Sequence, residues 1–240
     1  MRLMISALSL LLVPLGVQAQ GFLEGTHFKR LAQVQPASGP KDKVEVLEAF
    51  SYACVHCAHF EPFVQAWLPR LSKQAYFVRL PVAWNPSYEL YARGFLTAQA
   101  LGAGEKAHTE MFRAVFSRNE QHKSVDDLAK FYSAYGIKPE TFVVTANSFG
   151  ITSKIKRIQQ QTPRYEIDGT PTMVIAGKYT VTARPGATPE ETLQIVDFLI
   201  QKELIEKRAV LPVAASAAPS RTVAPGKAVV PAKEGAPAKK

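Results

Sequence analysis

Cysteine is scarce in this sequence: the 240 residues contain only two, Cys54 and Cys57. Two cysteines placed at random in such a chain would stand three positions apart about 1% of the time, so the spacing calls for a chemical reason. A disulfide stabilises a fold mainly by closing a long loop, and a bridge across two residues closes almost none. The chain is also long enough to bury a core of its own. The scarcity therefore argues against a disulfide-stapled scaffold and favours a reactive pair.

Long hydrophobic runs are also few, and the clearest one lies at the start of the chain. Met1 and Arg2 are followed by an apolar run from Leu3 to Val17, and small residues stand at Val17 and Ala19. This pattern predicts a secretory signal peptide that is cleaved after Ala19. A membrane anchor is the alternative, although the run is short for crossing a bilayer. Because no other stretch is apolar enough to span a membrane, we expect a soluble, exported protein.

Several familiar cofactor and nucleic-acid motifs are missing. There is no glycine-rich loop that could cradle a phosphate. A c-type haem site needs a histidine directly after the second cysteine, where Ala58 stands. His56 and His59 crowd the cysteines, and no second ligand pair for zinc follows downstream. The net charge of +9 comes partly from the C-terminal tail and matches no nucleic-acid module. We therefore expect no cofactor, no metal and no nucleic-acid partner.

The residues around the cysteines predict a strand followed by a helix. Residues 44–50 (VEVLEAF) alternate and are rich in β-formers, so they should deliver Cys54 to a helix N-terminus. At that position the helix dipole and the unpaired N–H groups favour a thiolate, so we expect Cys54 to be the attacking and attacked sulfur. Cys57, one turn into the helix, is expected to be more buried and to close the disulfide. This is the geometry of a redox catalyst.

After the signal peptide, roughly residues 41–207 amount to one domain, which includes the cysteine motif. The first helix is predicted over 54–73, with a kink caused by Pro62, and a second strand over 76–83. Five helices are predicted over 88–101, 106–116, 125–135, 139–147 and 151–161. Strands over 172–176 and 179–182 should form a hairpin. A last helix is predicted over 189–207, with Thr188 as its N-cap.

This order of elements resembles an α/β fold with a thioredoxin-like core sheet and an inserted all-helical domain. Two segments make the resemblance specific. Residues 46–57 (VLEAFSYACVHC) are similar to the active-site strand and motif of the DsbA family. Residues 169–172 (GTPT), followed by a Gly-Lys-Tyr turn, are similar to that family's cis-proline loop. The resemblance covers most of residues 44–205.

One residue departs from the family pattern. The commonest first inner residue of the motif is proline, whereas this chain has Val55. The residues between the two cysteines tune the stability of the reduced form, so the sequence leaves the oxidising strength of the disulfide open. The type of reaction does not depend on Val55.

The resemblance and the composition together divide the chain into six parts. These are a signal peptide (1–19), a lead-in (20–43), the first part of the core (44–87), a helical insertion (88–162), the second part of the core (163–207) and a tail (208–240). The tail is rich in Ala, Pro and Lys, with a proline every six or seven residues, so it is predicted to be extended and disordered. We expect this basic tail to have no specific role. The alternative is that its charge attracts it to anionic lipid or to a polymer of the cell envelope.

Two side chains near the cysteines are further candidates. His56 can donate a hydrogen bond or positive charge to the Cys54 thiolate, which would stabilise the reduced form and make the disulfide a stronger oxidant. The alternative is a solvated loop histidine. Glu48, if buried beneath the dithiol, would have a raised pKa and could relay a proton to or from Cys57. The alternative is a glutamate exposed at the strand edge, because alternation alone does not fix which face it occupies.

The substrate-binding candidates follow from the resemblance. It implies that the bond between Thr170 and Pro171 is cis and lies against the two sulfurs. The backbone of Thr170, with Val55 and Pro171 beside it, could then pair with an extended substrate like an added strand. On sequence alone, an ordinary trans turn is the alternative.

The resemblance implies a monomeric periplasmic thiol:disulfide oxidoreductase. It would donate its Cys54–Cys57 disulfide to reduced exported proteins through a mixed disulfide on Cys54. A membrane quinone reductase similar to DsbB would then reoxidise it. Two alternatives stay open: an exported thioredoxin-like reductase, and a redox-inert peptide-binding or chaperone module on the same fold.

Overall fold

The computed structural model describes the backbone of residues 21–215 and the side chains through Ala209. The predicted signal peptide (1–19), its cleavage after Ala19 and residues 216–240 of the predicted tail lie outside the described residues. Within this range, a mixed β-sheet lies at the centre with helices on both of its faces. This is the α/β class that the sequence predicts.

Five strands form the sheet in the order β1-β5-β4-β2-β3. They are β1 (Lys29–Arg30), β2 (Val44–Phe50), β3 (Ala75–Pro81), β4 (Thr172–Ile175) and β5 (Tyr179–Thr182). Strands β2 and β3 are parallel, and the other three pairings are antiparallel. The predicted strand over 44–50 and the predicted hairpin are therefore present, and the second strand begins and ends slightly earlier than predicted.

Seven helices of residues 21–215 surround the sheet. They are α1 (Val55–Trp67), α2 (Pro86–Ala100), α3 (Gly104–Phe112), α4 (Val125–Ser133), α5 (Pro139–Ala146), α6 (Phe149–Arg164) and α7 (Pro189–Ala215). Helix α1 contains Pro62 and ends earlier than predicted, because a 3₁₀ turn over Leu68–Arg70, with Pro69 inside it, follows directly. A wider π turn over Arg113–Ser117 extends α3. All five helices predicted between the two parts of the core are present.

Strand β2 is buried along its whole length because both faces of the sheet are covered. On one face, Val44 and Val46 pack with residues of α1 and α7 such as Val64 and Leu199. On the other face, Leu47 and Ala49 pack with the helices from α2 to α6. The sheet therefore separates two apolar cores, and the residues at the ends of β2 are held from both sides.

The predicted lead-in (20–43) contributes to the fold itself. Lys29 and Arg30 pair with Tyr179 and Thr180 and so add a strand beyond β5. Phe28 lies in the core formed with α7. A two-residue strand is too short to leave a periodic signal, so the sequence does not predict it.

The last helix is longer than predicted. Helix α7 was expected to end near Lys207, and the structure continues it to Ala215. The prediction of an extended tail is therefore wrong for residues 208–215. Among the helices of residues 21–215, none combines the length and the apolar character needed to cross a bilayer.

Candidate active site

Cys54 is the N-cap residue of α1. Its backbone is extended, with φ −102° and ψ 113°, and its sulfur accepts a hydrogen bond from the N–H of Cys57 at 3.4 Å. An oxygen of Ser, Thr, Asp or Asn usually occupies this position. Here a sulfur lies instead at the positive end of the helix, where negative charge is stabilised.

Hydrogen bonds make Cys54 an unusually acidic thiol. The bond with the Cys57 side chain contributes most, and burial opposes it. Bonds with Thr170 and with the backbone amides of Cys57 and His56 add to the effect, and together they lower the pKa of Cys54 to about 5. Cys54 is therefore a thiolate at neutral pH, which is the reactive form of cysteine.

Cys57 has the opposite character although it lies one helical turn away. It is completely buried, and its burial, followed by the bond and charge of Cys54, raises its pKa far above the ordinary thiol value. Glu48 adds to this increase. Both cysteines are free, so the structure represents the dithiol form. One sulfur is ready to react and its partner stays protonated.

The two residues between the cysteines face solvent. Val55 is 41% exposed, and His56 is exposed as well. The His56 backbone amide contributes to the low pKa of Cys54. Within residues 21–215 the His56 ring itself makes no hydrogen bond or ion pair. It lines an apolar depression together with Phe60, Pro171 and residues at the start of α7.

The loop before β4 lies against Cys54. The Thr170–Pro171 peptide bond is cis, as the resemblance implies. The carbonyl oxygen of Thr170 lies 3.3 Å from the Cys54 sulfur and accepts its hydrogen when the thiol is protonated. The Thr172 hydroxyl donates to the carbonyl of Gly169 at 2.9 Å and closes the loop. Antiparallel pairing of Ala49 with Thr172 brings this loop to the end of β2 that leads into the cysteine motif.

Glu48 is buried in the middle of β2, and this removes the alternative of an exposed glutamate. Its side chain is 2% exposed and lies opposite Arg79 of β3, with the Arg79 Nε 3.4 Å from the Glu48 Oε2. Burial outweighs the attraction of Arg79 and raises the pKa of Glu48 to about 8. At neutral pH this carboxyl is mostly protonated and holds a transferable proton.

Arg79 is shared by three acidic side chains and was not among the predicted site residues. Besides Glu48, it contacts Glu61 of α1 at 3.4 Å and the carboxylate of Glu105 of α3. Its guanidinium is 2% exposed, whereas the Glu105 side chain is 64% exposed. A lone arginine in the strand-forming segment AYFVRLP was the sequence signal that could have identified it.

The polar network continues from Glu61 to Tyr52, two residues before the cysteine motif. His108 is completely buried, and its Nε2 lies 3.3 Å from the Glu61 Oε2. Its Nδ1 lies 2.8 Å from the Tyr52 hydroxyl, which donates to it. Burial lowers the pKa of His108, so the ring is neutral. Burial acts to raise the pKa of Glu61, but its contacts with His108 and Arg79 lower that pKa. Glu61 is therefore ionised, whereas the His108 ring beside it is neutral. Sequence reasoning missed His108 because its partners are distant in the chain.

Two aromatic residues flank the cysteine pair on the surface. Trp84 is 44% exposed and stacks on Tyr88 with ring centroids 5.7 Å apart. The pKa of Tyr88 is raised by burial and by the charges of Cys54 and Cys57. Tyr88 therefore lies close enough to the cysteines to feel their charge, and Trp84 extends this surface outward.

No metal site accompanies these groups within residues 21–215, where no three His, Cys, Asp or Glu side chains converge on one point. The chemistry present is that of a reactive thiolate beside a buried thiol, with a buried carboxylic acid on the adjoining strand. Such a set can open and close a disulfide and hold the proton that the exchange releases or consumes.

Comparisons with known proteins agree on one family. The family model described as a DSBA-like thioredoxin domain matches residues 64–195, which begin after the cysteine motif. The thiol:disulfide interchange protein DsbA of Pseudomonas aeruginosa is 33% identical over 189 residues, which cover 79% of this chain and 89% of that protein. The protein of the same name from Pseudomonas syringae is 31% identical over 191 residues, covering 80% and 89%.

Solved structures give the same result. The crystal structure of Pseudomonas aeruginosa DsbA superposes with a TM-score of 0.73 at 32% identity and covers 78% of this chain and 97% of its own. That of the oxidoreductase DsbA from Xylella fastidiosa gives a TM-score of 0.71 at 34% identity, covering 75% and 97%. The similarity thus spans nearly the whole of these relatives.

Proposed function

This chain belongs to the DsbA family and is a protein thiol:disulfide oxidoreductase, and from that premise we propose that it donates a Cys54–Cys57 disulfide to reduced proteins exported to the periplasm. The observation that carries the proposal is the contrast between the two sulfurs. The pKa of Cys54 is about 5, whereas that of Cys57 is raised by burial. A thiolate stabilised in this way stabilises the reduced enzyme, so the disulfide form is a good oxidant.

The exchange proceeds in two displacements. A substrate thiolate attacks the Cys54 sulfur of the oxidised enzyme, a mixed disulfide forms, and the bond to Cys57 breaks. Cys57 leaves with the electron pair and takes up a proton. A second substrate thiolate then attacks the substrate sulfur of the mixed disulfide and expels Cys54 as a thiolate. The substrate loses two electrons and the enzyme gains them. The low pKa of Cys54 makes it a good leaving group in this second step.

Glu48 is the proposed proton donor to Cys57. The carboxyl is buried, and its pKa of about 8 keeps it protonated at neutral pH, when the departing Cys57 thiolate needs a proton. Glu48→Gln keeps the shape and removes the proton. We expect disulfide transfer at pH 7 to slow by about 100-fold, within the usual range for general acid catalysis. Stopped-flow rates with a dithiol peptide measure this. Rates equal to those of the parent at every pH would reject the relay.

His56 is proposed to add positive charge near the Cys54 thiolate. The ring is exposed, and its own backbone amide already contributes to the low pKa, so the ring effect has to be measured separately. His56→Ser leaves the amide in place. If the ring acts, the pKa of Cys54 rises, and thiolate absorbance followed against pH measures the change. An unchanged midpoint, with His59→Ser as the control, would remove the ring from the mechanism.

Substrate binding is proposed at the Thr170–Pro171 loop. The loop lies at the start of β4, next to Cys54, where an extended peptide could add main-chain hydrogen bonds. Val55 and the depression lined by His56 and Pro171 offer apolar contacts beside it. A peptide cross-linked to Cys54 in a Cys57→Ser variant should shift the amide signals of Gly169 and Thr170. Signals that do not move would argue for another binding surface.

The remaining parts of the proposal concern the cellular setting. We propose that the protein acts in the periplasm as a monomer, that its signal peptide is removed after Ala19, and that a DsbB-like membrane quinone reductase reoxidises it. The sequence of residues 1–19 and the similarity to DsbA proteins support this. Mass spectrometry of the exported protein tests the cleavage site. Reoxidation by membranes with and without quinone tests the partner.

The decisive experiment is the equilibrium reduction potential of the Cys54–Cys57 pair in glutathione buffers. A value well above about −200 mV is expected for a disulfide donor. A value near about −270 mV would instead make the protein a reductase and overturn the proposal. Cys57→Ser and Cys54→Ser variants provide the control, because only the first should accumulate a mixed disulfide with a substrate thiol.

A further inference from the structure

The outward face of α6 is strongly basic. All charged residues among the 16 of this helix are cations, namely Lys154, Lys156, Arg157 and Arg164. All four are exposed. The neighbouring helix α5 contributes a single exposed acid, Glu140, near its start. The surface built by α5 and α6 therefore carries a clear excess of positive charge.

Helical geometry places three of these cations on the side of α6 that faces away from the core. The buried residues of α6 are Ile151, Ile155, Ile158 and Thr162. With about 100° of rotation per residue, the polar Ser153 and Gln160 form the centre of the opposite face. Phe149 and Arg164 lie within about 30° of that centre, and Lys156 and Arg157 lie about 50° to either side of it. One side of the helix thus fixes it to the core, and the other presents three cations around a polar centre, with an aromatic ring at its first residue.

The cations of this face are not neutralised by the protein. Elsewhere, arginines pair with nearby acids, as Arg93 does with Glu89 at 2.9 Å and Arg118 with Glu120 at 2.6 Å. None of the ion pairs formed within residues 21–215 reaches a cation of α6. Their charge is therefore directed entirely to solvent and to whatever approaches this surface.

The same surface exposes its apolar side chains. Phe149 is 87% exposed and Val144 of α5 is 73% exposed, the two highest values among the large hydrophobic residues of the described chain. Neither side chain packs into the two apolar cores of the protein. Basic residues beside an exposed aromatic ring form the combination that binds the interface of an anionic bilayer, where cations meet head groups and the ring enters the acyl boundary.

We propose that this surface, formed by Val144, Phe149, Lys156, Arg157 and Arg164, docks reversibly on anionic phospholipid. Each basic residue close to such a surface contributes about a five-fold factor in binding. A few such residues and one ring give weak, salt-sensitive attachment, which leaves the protein free to move between lipid and soluble substrates.

Docking in this way would favour one orientation of the active site. The amide nitrogen of Gln159 of α6 donates to the carbonyl oxygen of Ala83 at 3.4 Å. The next residue is Trp84, which belongs to the aromatic pair beside the cysteines. The basic face thus adjoins the side of the molecule that carries Cys54. This consequence rests on the proposed reoxidation at the membrane, whereas lipid binding itself does not.

The test is co-sedimentation of the chain from Gln20 onward with vesicles. Phosphatidylglycerol vesicles are compared with phosphatidylcholine vesicles at low and high salt. Lys156→Gln with Arg157→Gln should weaken binding to phosphatidylglycerol about 25-fold. The control is Lys73→Gln with Lys130→Gln, which removes the same charge from exposed positions elsewhere and should change binding little. Phe149→Ser should weaken binding while the salt dependence remains.

Three results would overturn the inference. The chain could ignore phosphatidylglycerol at low salt. Both pairs of variants could lose equal affinity, which would mean that net charge alone is responsible. The α6 variants could bind like the parent and lose binding only when residues 209–240 are removed, which would assign attachment to the tail. Disulfide transfer to a soluble peptide should be unchanged in all α6 variants. Lipid binding and the proposed redox function can therefore fail separately.

Discussion

Cys54 and Cys57 are both nearly inaccessible to solvent, at 7% and 0% exposure, yet their pKa values move in opposite directions. Accessibility therefore does not distinguish them. Hydrogen-bond donors distinguish them. Cys54 occupies the N-cap position and accepts hydrogen bonds from backbone amides in the first turn of α1, which lower its pKa. At Cys57 the effect of burial is larger and raises the pKa. A cysteine of either kind could be recognised in the sequence from its place relative to the helix start.

The buried charges around Arg79 could not be recognised in the same way. Glu48, Glu61 and His108 belong to three different elements, and only the completed fold brings them together. The sequence did indicate Glu48, because it lies on the strand that leads into the cysteine motif. The sequence could not identify Arg79 as the cation opposite Glu48, because no local feature fixes which residue of β3 pairs with that glutamate.

Arg79 should be essential for stability. Its guanidinium is 2% exposed and is the cation that balances Glu61. Arg79→Gln leaves a buried carboxylate uncompensated, so we expect the free energy of unfolding to fall by about 3 to 5 kcal/mol. Urea denaturation of the reduced protein measures this. Arg79→Lys, which keeps a positive charge, is the control and should lose less. Equal losses in both variants would show that the fork shape, rather than the charge, matters.

Secondary structure elements followed from the sequence when their signals were local. The strand before the cysteines, the hairpin after Pro171 and the helices between them all have a period, a cap or a turn of their own. Strand β1 has none. Helix α3 differs from its prediction in another way. It begins at Gly104, although this glycine was expected to separate two helices. A Cβ at Gly104 would lie 3.0 Å from the Cα of Gln99, so glycine permits the close approach to the end of α2.

The capping box of α4 gives a prediction for a single element. The Ser124 hydroxyl accepts from the Asp127 N–H at 3.1 Å, and the Asp127 carboxylate accepts from the Ser124 N–H at 3.1 Å. Ser124→Ala should lower the free energy of unfolding by about 1 kcal/mol. Ser133→Ala, at the other end of α4, is the matched control and should change it less. Thermal unfolding of both variants provides the comparison, and equal shifts would mean that the cap contributes nothing.

In the whole molecule, the two redox forms should respond differently to pH. The pKa of Cys54 falls from 9.0 to about 5 on folding of the reduced form. The resulting stability is fully present above about pH 9, decreases below it, and is lost as the pH falls through about 5. The oxidised form has no such group. Glu48 is present in both forms, and its raised pKa acts with the opposite sign, so most of its effect cancels in the difference.

We therefore expect the reduced protein to gain stability relative to the oxidised protein as the pH rises from about 5 to about 9. Denaturation of both forms across this range measures the difference. A Cys54→Ala variant, in the absence of a disulfide, supplies the baseline without the thiolate. A difference that is independent of pH would contradict a low pKa for Cys54, whatever the rate of disulfide exchange.

The contact between the Cys54 sulfur and the Thr170 carbonyl joins residues that are 116 positions apart. Because synthesis runs from the N-terminus, the cysteines leave the ribosome well before this loop and the strand that follows it. An unfinished chain therefore holds the motif without Thr170, one of the residues whose hydrogen bonds lower the pKa of Cys54. The surroundings of the reactive sulfur are complete only when the C-terminal half has joined the sheet.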